Sequence, residues 1–553
     1  MIHKMLRFLK RFIISLVVII LAFIAYYLVV TQIDEPEIDM SLIKKGDLIK
    51  HNDTCYSYQD SWLRKNRFGL WEMYISGSPE ELGIKNGILA QRLIEKQEEA
   101  FVTQIKRMIP SEAYLKFLKY ITSYMNRDLP DYIPQEYLTE IKAVSLFASD
   151  KYDFIGENYI RQLNYHAAHD IGHAMQNLHL VECTAFGVWN TRSADSSLLL
   201  GRNFDFYVGD EFAKNKIILF VKPNQGYPFA SITWGGMIGV VSGMNMQGLS
   251  ITLNSAKGEI PMTAKTPVSI IAREILQYAS NIEEAYTIAK SHPSFVAESF
   301  MIGSANDNRA AIIEKTPDTT ILYYSADNHI ILTNHFQSDA LKSSQINVEN
   351  MEENVTKYRF DRVEELLAKQ DMFNEFSFAK ILRDTKGLNN EDIGLGNEGA
   401  VNQLIAHHSI IFKPKQKKFW ISSAPFQLGA YPAYSLDSIF RKSNQAISKH
   451  DLSNELISAD TVFLKEYYPQ FLKFKSMILQ AENNEEIDID EFIQTNPNYF
   501  YTYEIIGDYY LQRQDQEKSS LYYNIAFQKF IPNLHEQKRI EEKLEKMLSN
   551  TTK

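Results

Sequence analysis

The stretch VECTAFGVWN (residues 181–190) marks a change in the pattern of the sequence, and it contains Cys183. The chain has 553 residues and two cysteines, the other being Cys55. From residue 181 to about residue 335, short β-rich runs such as TAFGVWN, KIILFVK and LSITLNS alternate with turn residues, which predicts a series of strands. A cysteine at the head of the first strand has three explanations: a small buried hydrophobic residue, half of a disulfide, or a nucleophile.

Helical patterns flank and interrupt this β-rich region. Before it, apolar residues mostly recur at intervals of three and four, although LWEMYISGSPEELGIKNG (70–87) predicts a short strand, a turn and a helix start. Within and after it, helices are predicted near 266–290 and 358–370, and a strand pair around 404–424. Strands on both sides of a helix pair favour an α+β fold with antiparallel sheets over a βαβ repeat.

The chain is predicted to be helical again from about residue 441. Within this part, YEIIGDYYLQRQDQEKSSLYYNIAFQKFIP (503–532) comes close to the spacing of one tetratricopeptide repeat. The sequence contains no second good copy, and such repeats need neighbours to bury their faces. We therefore favour a helical hairpin packed on the main domain over an independent binding array. These helices are also the predicted surface for a protein partner.

The N-terminus predicts a membrane anchor. Four cations in MIHKMLRFLKR precede an uncharged apolar run of 19 residues from Phe12 to Val30. At roughly 1.5 Å each these residues approach the roughly 30 Å hydrocarbon core of a bilayer. The cations should stay cytoplasmic, which places the residues after Thr31 on the non-cytoplasmic side. A cleaved signal peptide is the alternative, but it needs a shorter apolar core and a small-x-small cleavage site.

Composition narrows the function classes. The formal net charge is −10, and no basic stripe stands out that would neutralise phosphates, so we predict no nucleic-acid partner.

His166, His169 and His173 recur at i, i+3 and i+7 beside Asp170, a spacing that places neutral imidazoles on one helix face where they could bind zinc. The alternative is an amphipathic helix whose histidines form a polar surface or line whatever the helix covers. We favour the second interpretation, and predict neither a metal nor a cofactor.

A set of polar residues follows Cys183 in order. Each is weak evidence alone, because Asn at strand ends usually makes turns and Arg–Asp pairs are usually surface salt bridges. They lie in the runs LLLGRNFDF, GMNMQGLSITLNS, ILTNHF and TKYRFDRVEEL. The candidate residues in these runs are Arg202, Asp205, Asn254, Asn334, Arg359 and Arg362.

Together and in this order, these residues resemble the N-terminal-nucleophile (Ntn) hydrolases. The similarity is narrower to the acyl-CoA:6-aminopenicillanic acid acyltransferases, with choloylglycine hydrolases as cousins. It runs from about Leu70 to about Tyr434 and includes SGSPEELGIKNG, which is similar to an element of that branch's propeptide. The resemblance implies a four-layer αββα sandwich and self-cleavage of a precursor directly before the nucleophile, here between Glu182 and Cys183.

The resemblance also implies roles for the site residues. Cys183 would attack a carbonyl, with its own free α-amine (pKa about 8) taking the thiol proton. Asp205 would hold the ammonium, and Arg202 would favour the thiolate. The remaining roles are oxyanion stabilisation by Asn254 and Asn334, and support of the nucleophile by a late arginine, assigned to Arg362 with Arg359 as the alternative.

One position departs from the family pattern. The residue before the nucleophile is often Gly in this branch, where it permits a strained backbone, whereas here it is Glu182. Cleavage could then be slower, could use Glu182, or could fail. An uncleaved Cys183 would lack its amine base, so the alternative hypothesis is an inactive relative with a binding role.

The predicted organisation has four parts: a basic tail and anchor (1–31), a mostly helical pro-region (32–182), a catalytic domain (183–440) and a helical extension (441–553). The predicted function is a membrane-anchored, self-processing Ntn amidohydrolase or acyltransferase with a catalytic domain outside the cytoplasm. It would act on a small or lipid-like N-acyl amide through a thioester. The alternative is a catalytically inactive envelope scaffold.

Overall fold

A computed structural model describes residues 2–167, 182–259, 264–441 and 453–551 of the chain. Helix α1 (Ile2–Val30) contains the segment Lys4–Val30, whose 27 residues are long and apolar enough to cross a membrane. Its large apolar side chains from Met5 to Val29 are mostly exposed. The predicted long apolar helix at the N-terminus is therefore present.

Two sheets form the centre of the described structure. The larger has the strand order β1-β2-β3-β4-β7-β8-β9-β10-β11-β12-β13, and the smaller has the order β14-β5-β6-β15-β16-β17-β18. The strands are β1 (Leu48–Asn52), β2 (Cys55–Tyr58), β3 (Ser61–Lys65), β4 (Trp71–Gly77), β5 (Thr184–Val188), β6 (Leu199–Phe204), β7 (Ile217–Pro223), β8 (Phe229–Thr233), β9 (Ser242–Asn245), β10 (Leu249–Ser255), β11 (Glu298–Ser304), β12 (Arg309–Lys315), β13 (Thr320–Tyr323), β14 (His329–Leu332), β15 (His408–Lys413), β16 (Lys418–Ile421), β17 (Tyr431–Ser435) and β18 (Ser453–Ile457).

Neighbouring strands are antiparallel with one exception among those described: β4 runs parallel to β7, with Trp71 opposite Ile217. This pairing builds residues before Cys183 into the large sheet. The sequence predicted one short strand there, whereas the structure has four. The reason is that β1, β2 and β3 have only four or five residues each, too few to show a clear period of two.

The helices lie around these sheets. After α1 they are α2 (Pro79–Met108), α3 (Glu112–Met125), α4 (Gln135–Ser145), α5 (Asn158–His166), α6 (Val268–Tyr278), α7 (Ile282–Ser291), α8 (Gln345–Glu353), α9 (Thr356–Ala368), α10 (Glu375–Leu382), α11 (Leu436–Arg441), α12 (Thr461–Glu466), α13 (Tyr468–Glu482), α14 (Ile489–Thr495), α15 (Phe500–Gln512), α16 (Gln516–Phe527) and α17 (Leu534–Thr551). The predicted α+β class is confirmed.

The alternation of side chains along each strand divides the core. In β7, Leu219 and Val221 belong to a cluster shared with α2, α4, α5, α6 and α7. Ile218 and Phe220 instead pack in a cluster that contains residues of both sheets, such as Ile410. A third cluster joins the smaller sheet to α9 and α10. Both sheets thus carry apolar side chains on both of their faces.

The C-terminal helices dock on the segment that precedes β15. The Leu395 amide donates to Asn496 Oδ1 at 2.9 Å, and Asn397 Nδ2 donates to the Phe530 carbonyl at 3.2 Å. Gly394 (φ +85°) lies so close to Tyr499 that a Cβ on it would be 2.6 Å from the Tyr499 backbone. The helical extension is therefore packed against the main body of the chain.

Candidate active site

Cys183 lies at the start of β5, beside Arg202 of the neighbouring strand β6. The register pairs Ala185 with Arg202, and Cys183 Sγ accepts a hydrogen bond from Arg202 Nη2 at 3.4 Å. Cys183 and Cys55 are both free thiols, and Cys183 is fully buried. Burial raises the pKa of the Cys183 thiol to about 11, although the Arg202 guanidinium opposes this shift. The thiol is therefore protonated near neutral pH in the intact chain.

Arg202 is itself held from several sides. Its Nη1 donates to the Val241 carbonyl at 2.8 Å and to Ser242 Oγ at 2.6 Å, while Nη2 also donates to the Leu253 carbonyl. The guanidinium carbon lies 4.2 Å from the centre of the Phe204 ring, within the range of a cation–π contact. These contacts fix the position of the cation against the Cys183 sulfur.

A buried histidine pair continues this network, and sequence reasoning missed its link to the site. His408 Nε2 is hydrogen-bonded to Ser242 Oγ at 2.8 Å, and the Nδ1 atoms of His407 and His408 are 2.9 Å apart. Burial lowers the pKa of both imidazoles well below its ordinary value, so both are neutral. The adjacent histidines were the only sequence signal, and nothing in the sequence connects them to Arg202.

Asp205 supplies an unpaired carboxyl next to the thiol. It is fully buried, and neither carboxyl oxygen has a hydrogen-bond partner among the described residues. Burial raises the pKa of Asp205 to about 8, against the lowering effect of Arg359 and Arg202. Its backbone carbonyl accepts from the Glu182 amide at 3.0 Å. An unpaired buried carboxyl is costly, which makes it the natural place for a new cation.

Glu182 and Cys183, the two residues joined at the junction, each have a carbonyl that accepts a hydrogen bond from a side chain. The Glu182 carbonyl accepts from Gln403 Nε2 at 3.2 Å, and the Cys183 carbonyl accepts from Arg359 Nη1 at 2.8 Å. Gln403 is buried and lies in a loop in which Asn402 Oδ1 accepts from the Leu404 amide at 3.0 Å. Sequence reasoning missed Gln403, because an isolated Gln in VNQL carries no recognisable motif.

Arg359 of α9 contacts the residues on both sides of the junction between Glu182 and Cys183. It is fully buried, and its Nη1 also donates to Thr184 Oγ1 at 3.0 Å. Its Nη2 donates to Glu182 Oε2 and to Asn334 Oδ1, both at 2.9 Å. The guanidinium therefore compensates the Glu182 carboxylate that distinguishes this junction from the glycine of the family pattern.

The assignment of this role to Arg362 requires correction. Arg362 lies three residues further along α9 and binds other groups: Asp384 at 2.8 and 3.0 Å, Glu365 at 2.8 Å and Asn390 at 3.0 Å. Residues three apart on a helix are separated by about 4.5 Å along its axis, and of the two arginines Arg359 is the one that bonds to Cys183. The sequence spacing left both open, and the structure brings Arg359 to Cys183.

The two predicted oxyanion donors are occupied in the intact chain. Asn254 Nδ2 donates to the carbonyls of Leu332 and Thr333, both at 3.2 Å, and its Oδ1 has no partner among the described residues. Asn334 Nδ2 donates to the Ser255 carbonyl at 3.0 Å and to Ser255 Oγ at 2.8 Å. Both amides therefore join β10 to the end of β14 rather than facing an open position.

His166 is not arranged as a metal ligand. Its Nε2 accepts from the Ile238 amide at 3.0 Å, and its Nδ1 is 2.8 Å from the Gln162 carbonyl, so both ring nitrogens are used. His169, Asp170 and His173 lie outside the described residues. In the described ranges no group of three His, Cys, Asp or Glu side chains is placed to hold a metal ion.

A cavity lined partly by aromatic side chains lies near Arg202, on the far side of the Phe204 ring. It has a volume of about 30 Å³ and is lined by Phe206, Phe212 and Trp234 together with residues of α2 and α5. Phe206 stacks on Phe204 with ring centres 5.6 Å apart, and Phe204 is the ring that carries the Arg202 guanidinium. Apolar surface therefore begins directly behind the charged groups of the site.

Residues 189–426 match the family model of the acyl-coenzyme A:6-aminopenicillanic acid acyl-transferases. The match confirms the predicted family resemblance for this segment, which is less than half of the chain. Cys183 lies six residues before the matched segment.

Two curated relatives are similar over about half of the chain. An uncharacterized protein of Archaeoglobus fulgidus is 24% identical over 287 residues, covering 49% of this chain and 48% of that protein. Protein dcd1B of Dictyostelium discoideum is 22% identical over 274 residues, covering 45% of this chain and 51% of that protein. The chain thus spans about half the length of these curated relatives.

Solved structures with similarity include an N-acylethanolamine-hydrolyzing acid amidase ortholog of Caenorhabditis elegans, at 17% identity and a TM-score of 0.30, covering 42% of this chain and 93% of that one. A mutant conjugated bile acid hydrolase from Clostridium perfringens is 16% identical with a TM-score of 0.33, covering 49% of this chain and 95% of that one.

Proposed function

We propose that this chain is an Ntn-type amidohydrolase or acyltransferase that cleaves itself between Glu182 and Cys183 and then uses Cys183 as its nucleophile. The observation that carries the proposal is the junction itself. Gln403 and Arg359 hold the two carbonyls that flank the peptide nitrogen. Asp205, whose carboxyl oxygens have no hydrogen-bond partner among the described residues, accepts from the Glu182 amide at its backbone carbonyl. The family match over residues 189–426 supports the reaction class.

Self-cleavage starts with attack of Cys183 Sγ on the Glu182 carbonyl carbon. The thiol gives up its proton, and the oxygen held by Gln403 becomes an oxyanion. The C–N bond then breaks, the nitrogen takes up the proton as an α-amine, and a thioester joins Glu182 to the sulfur. Water hydrolyses this thioester, which frees the thiol and leaves Glu182 with a new carboxylate.

Cleavage changes the electrostatics of the site in favour of catalysis. The new α-amine has a reference pKa of about 8, so it can accept the thiol proton without a histidine partner. Its ammonium form would pair with Asp205, the carboxyl that has no hydrogen-bond partner within the described ranges. Arg202, held 3.4 Å from the sulfur, would stabilise the thiolate.

The substrate that fits this chemistry is an N-acyl amide. Cys183 would attack its carbonyl to give a thioester, which water resolves in a hydrolase and an amine resolves in an acyltransferase. We favour hydrolysis, because we place the catalytic part outside the cytoplasm, tethered by α1 in a single pass, where acyl-CoA is scarce.

The same proposal interprets the two sheets and the helices that cover them as a four-layer αββα sandwich. Cleavage would divide the chain into residues 1–182 and 183–553, held together by the pairing of β4 with β7. Asn254 and Asn334 would serve as oxyanion donors only after rearrangement of the hydrogen bonds they make in the intact chain.

An inactive scaffold is the second candidate function. It is favoured by the full burial of Cys183 and by the occupied amides of Asn254 and Asn334. In that case the C-terminal helices would bind a protein partner and the junction would stay intact.

The deciding experiment is denaturing electrophoresis with intact-mass analysis of the purified full chain. We expect two polypeptides, the second beginning at Cys183. A Cys183→Ala variant should remain one polypeptide, and the control Cys55→Ser should still be cut. A single uncut wild-type chain would leave the scaffold as the remaining candidate. Incubation of the cut protein with N-acyl amides should add the acyl mass to the Cys183 polypeptide.

A further inference from the structure

Helix α3 (Glu112–Met125) exposes a stripe of large apolar side chains. Of its residues only Leu115 is buried. The exposed members are Tyr114, Phe117, Tyr120, Ile121, Tyr124 and Met125, each with 40% or more of its surface accessible. Several of them recur at intervals of three and four, so they share one side of the helix. A contiguous apolar surface of this kind normally marks a binding site.

The α3 stripe is continuous with the C-terminal end of α1, the helix long enough to span a membrane. Tyr27 of α1 donates from its hydroxyl to the Tyr120 carbonyl at 2.8 Å, and the two rings meet edge to face at 6.1 Å. A groove of about 780 Å³ lies between the helices. Its lining is entirely apolar or aromatic: Phe23, Ile24, Tyr26, Tyr27, Leu28, Phe117, Tyr120, Ile121 and Tyr124.

The charge around α3 differs from that of the whole chain. Residues 104–128 carry five cations and two carboxylates, Glu112 and Asp128, whereas the formal net charge of the chain is −10. Two of the cations, Lys116 and Lys119, lie on α3 itself, and the Lys116 side chain is 55% exposed. Tyrosines together with lysines beside an apolar stripe are typical of a helix that lies in the interface of an anionic bilayer.

We propose that α3 lies in the headgroup region of an anionic lipid bilayer, next to the point where α1 leaves the membrane, with its apolar stripe against the acyl chains. The occupant is lipid because the stripe continues the surface of α1, and because the surrounding cations complement anionic headgroups. This second contact would add to the orientation that α1 gives the chain on the membrane through residues 31–47, of which Ile33, Ile38, Leu42 and Ile43 pack against the core.

Spin-label accessibility in the full chain tests this inference. The chain would be reconstituted into nanodiscs containing phosphatidylglycerol, in a Cys55→Ser, Cys183→Ala background, with single labels from Phe117→Cys and Ile121→Cys. We expect collisions with oxygen to exceed those with a water-soluble nickel complex at both positions. The matched controls are Lys116→Cys on the adjacent side of α3 and Leu521→Cys, an exposed apolar position on α16, where the nickel complex should dominate.

Two outcomes would overturn the inference. Labels at 117 and 121 that behave like the one at 521 would place the stripe in water. Immobilised labels that neither reagent reaches would place it against protein, such as a second copy of the chain. Because the background variant lacks the Cys183 thiol, the result does not depend on self-cleavage, and failure here leaves the proposed function untouched.

Discussion

Replacement of Gln403 by Met tests the proposed self-cleavage at the atom where charge develops. Gln403 is buried, and its Nε2 donates to the Glu182 carbonyl oxygen at 3.2 Å. In the intact chain this neutral hydrogen bond contributes about 1 kcal/mol. Once the sulfur attacks, the same oxygen carries negative charge, and a donor in that position is worth about 3 to 4 kcal/mol. The barrier should therefore rise by about 2 to 3 kcal/mol, which slows cleavage roughly 30- to 160-fold.

The assay is a time course of cleavage after cell-free synthesis of the full chain, followed by denaturing electrophoresis. Gln427→Met is the matched control, because Gln427 is also buried and donates from Nε2 to a backbone carbonyl, that of Leu382, at 3.4 Å. Both variants lose one buried amide hydrogen bond, so their melting temperatures should fall by similar amounts. Only Gln403→Met should slow the appearance of the Cys183 polypeptide.

Cleavage of Gln403→Met at the wild-type rate would refute oxyanion stabilisation by Gln403, because the donor would then contribute nothing to the transition state. Equal slowing in Gln403→Met and Gln427→Met would also refute it, since the effect would then come from a weakened fold. A Gln403→Glu variant adds a sign test: a carboxylate facing the oxyanion should slow cleavage further at neutral pH.

Three further predictions concern stability and specificity of contacts. Arg359→Met removes the cation that pairs with the buried Glu182 carboxylate, so the free energy of unfolding should fall by about 3 to 5 kcal/mol in denaturant titrations. Adding Glu182→Gln should restore part of this loss. No recovery in the double variant would contradict the pairing. Burial lowers the pKa of His166 to about 4, below its value in the unfolded chain. As the pH falls, the unfolded chain therefore binds the proton first. The free energy of unfolding should decrease by up to about 3 kcal/mol between about pH 6.5 and pH 4. His166→Gln should reduce the slope of that pH dependence in thermal melts, to which the buried His407 and His408 also contribute, and an unchanged slope would assign it to those other groups. Gly394→Ala introduces a Cβ 2.6 Å from the Tyr499 backbone, at a position with positive φ. Hydrogen exchange should therefore increase in the neighbouring helices α14 and α15. Unchanged protection there would show that the docking tolerates the methyl group.

The sequence by itself determined the features that depend on local patterns. Apolar periodicity gave the α+β class, the strands after Cys183 and the C-terminal helices, because period and turn residues act over a few neighbouring positions. The apolar run behind a basic cluster gave the N-terminal helix. The order of the polar residues after Cys183 gave the family resemblance, which the match over residues 189–426 confirms. Each of these signals can be read without knowing which segments meet.

Only the tertiary structure decided which side chains surround the junction. The sequence does not distinguish Arg359 from Arg362. The structure selects Arg359, because it bonds to Cys183 and Glu182, which lie 176 and 177 positions earlier in the chain. Gln403 lies 221 positions from the carbonyl it binds. Long-range contacts of this kind depend on how strands pair and helices cross, and no short window of sequence encodes them. The composition of the site therefore follows from the packing of β5, β6 and α9, whereas Cys183 was proposed as the nucleophile from the sequence alone.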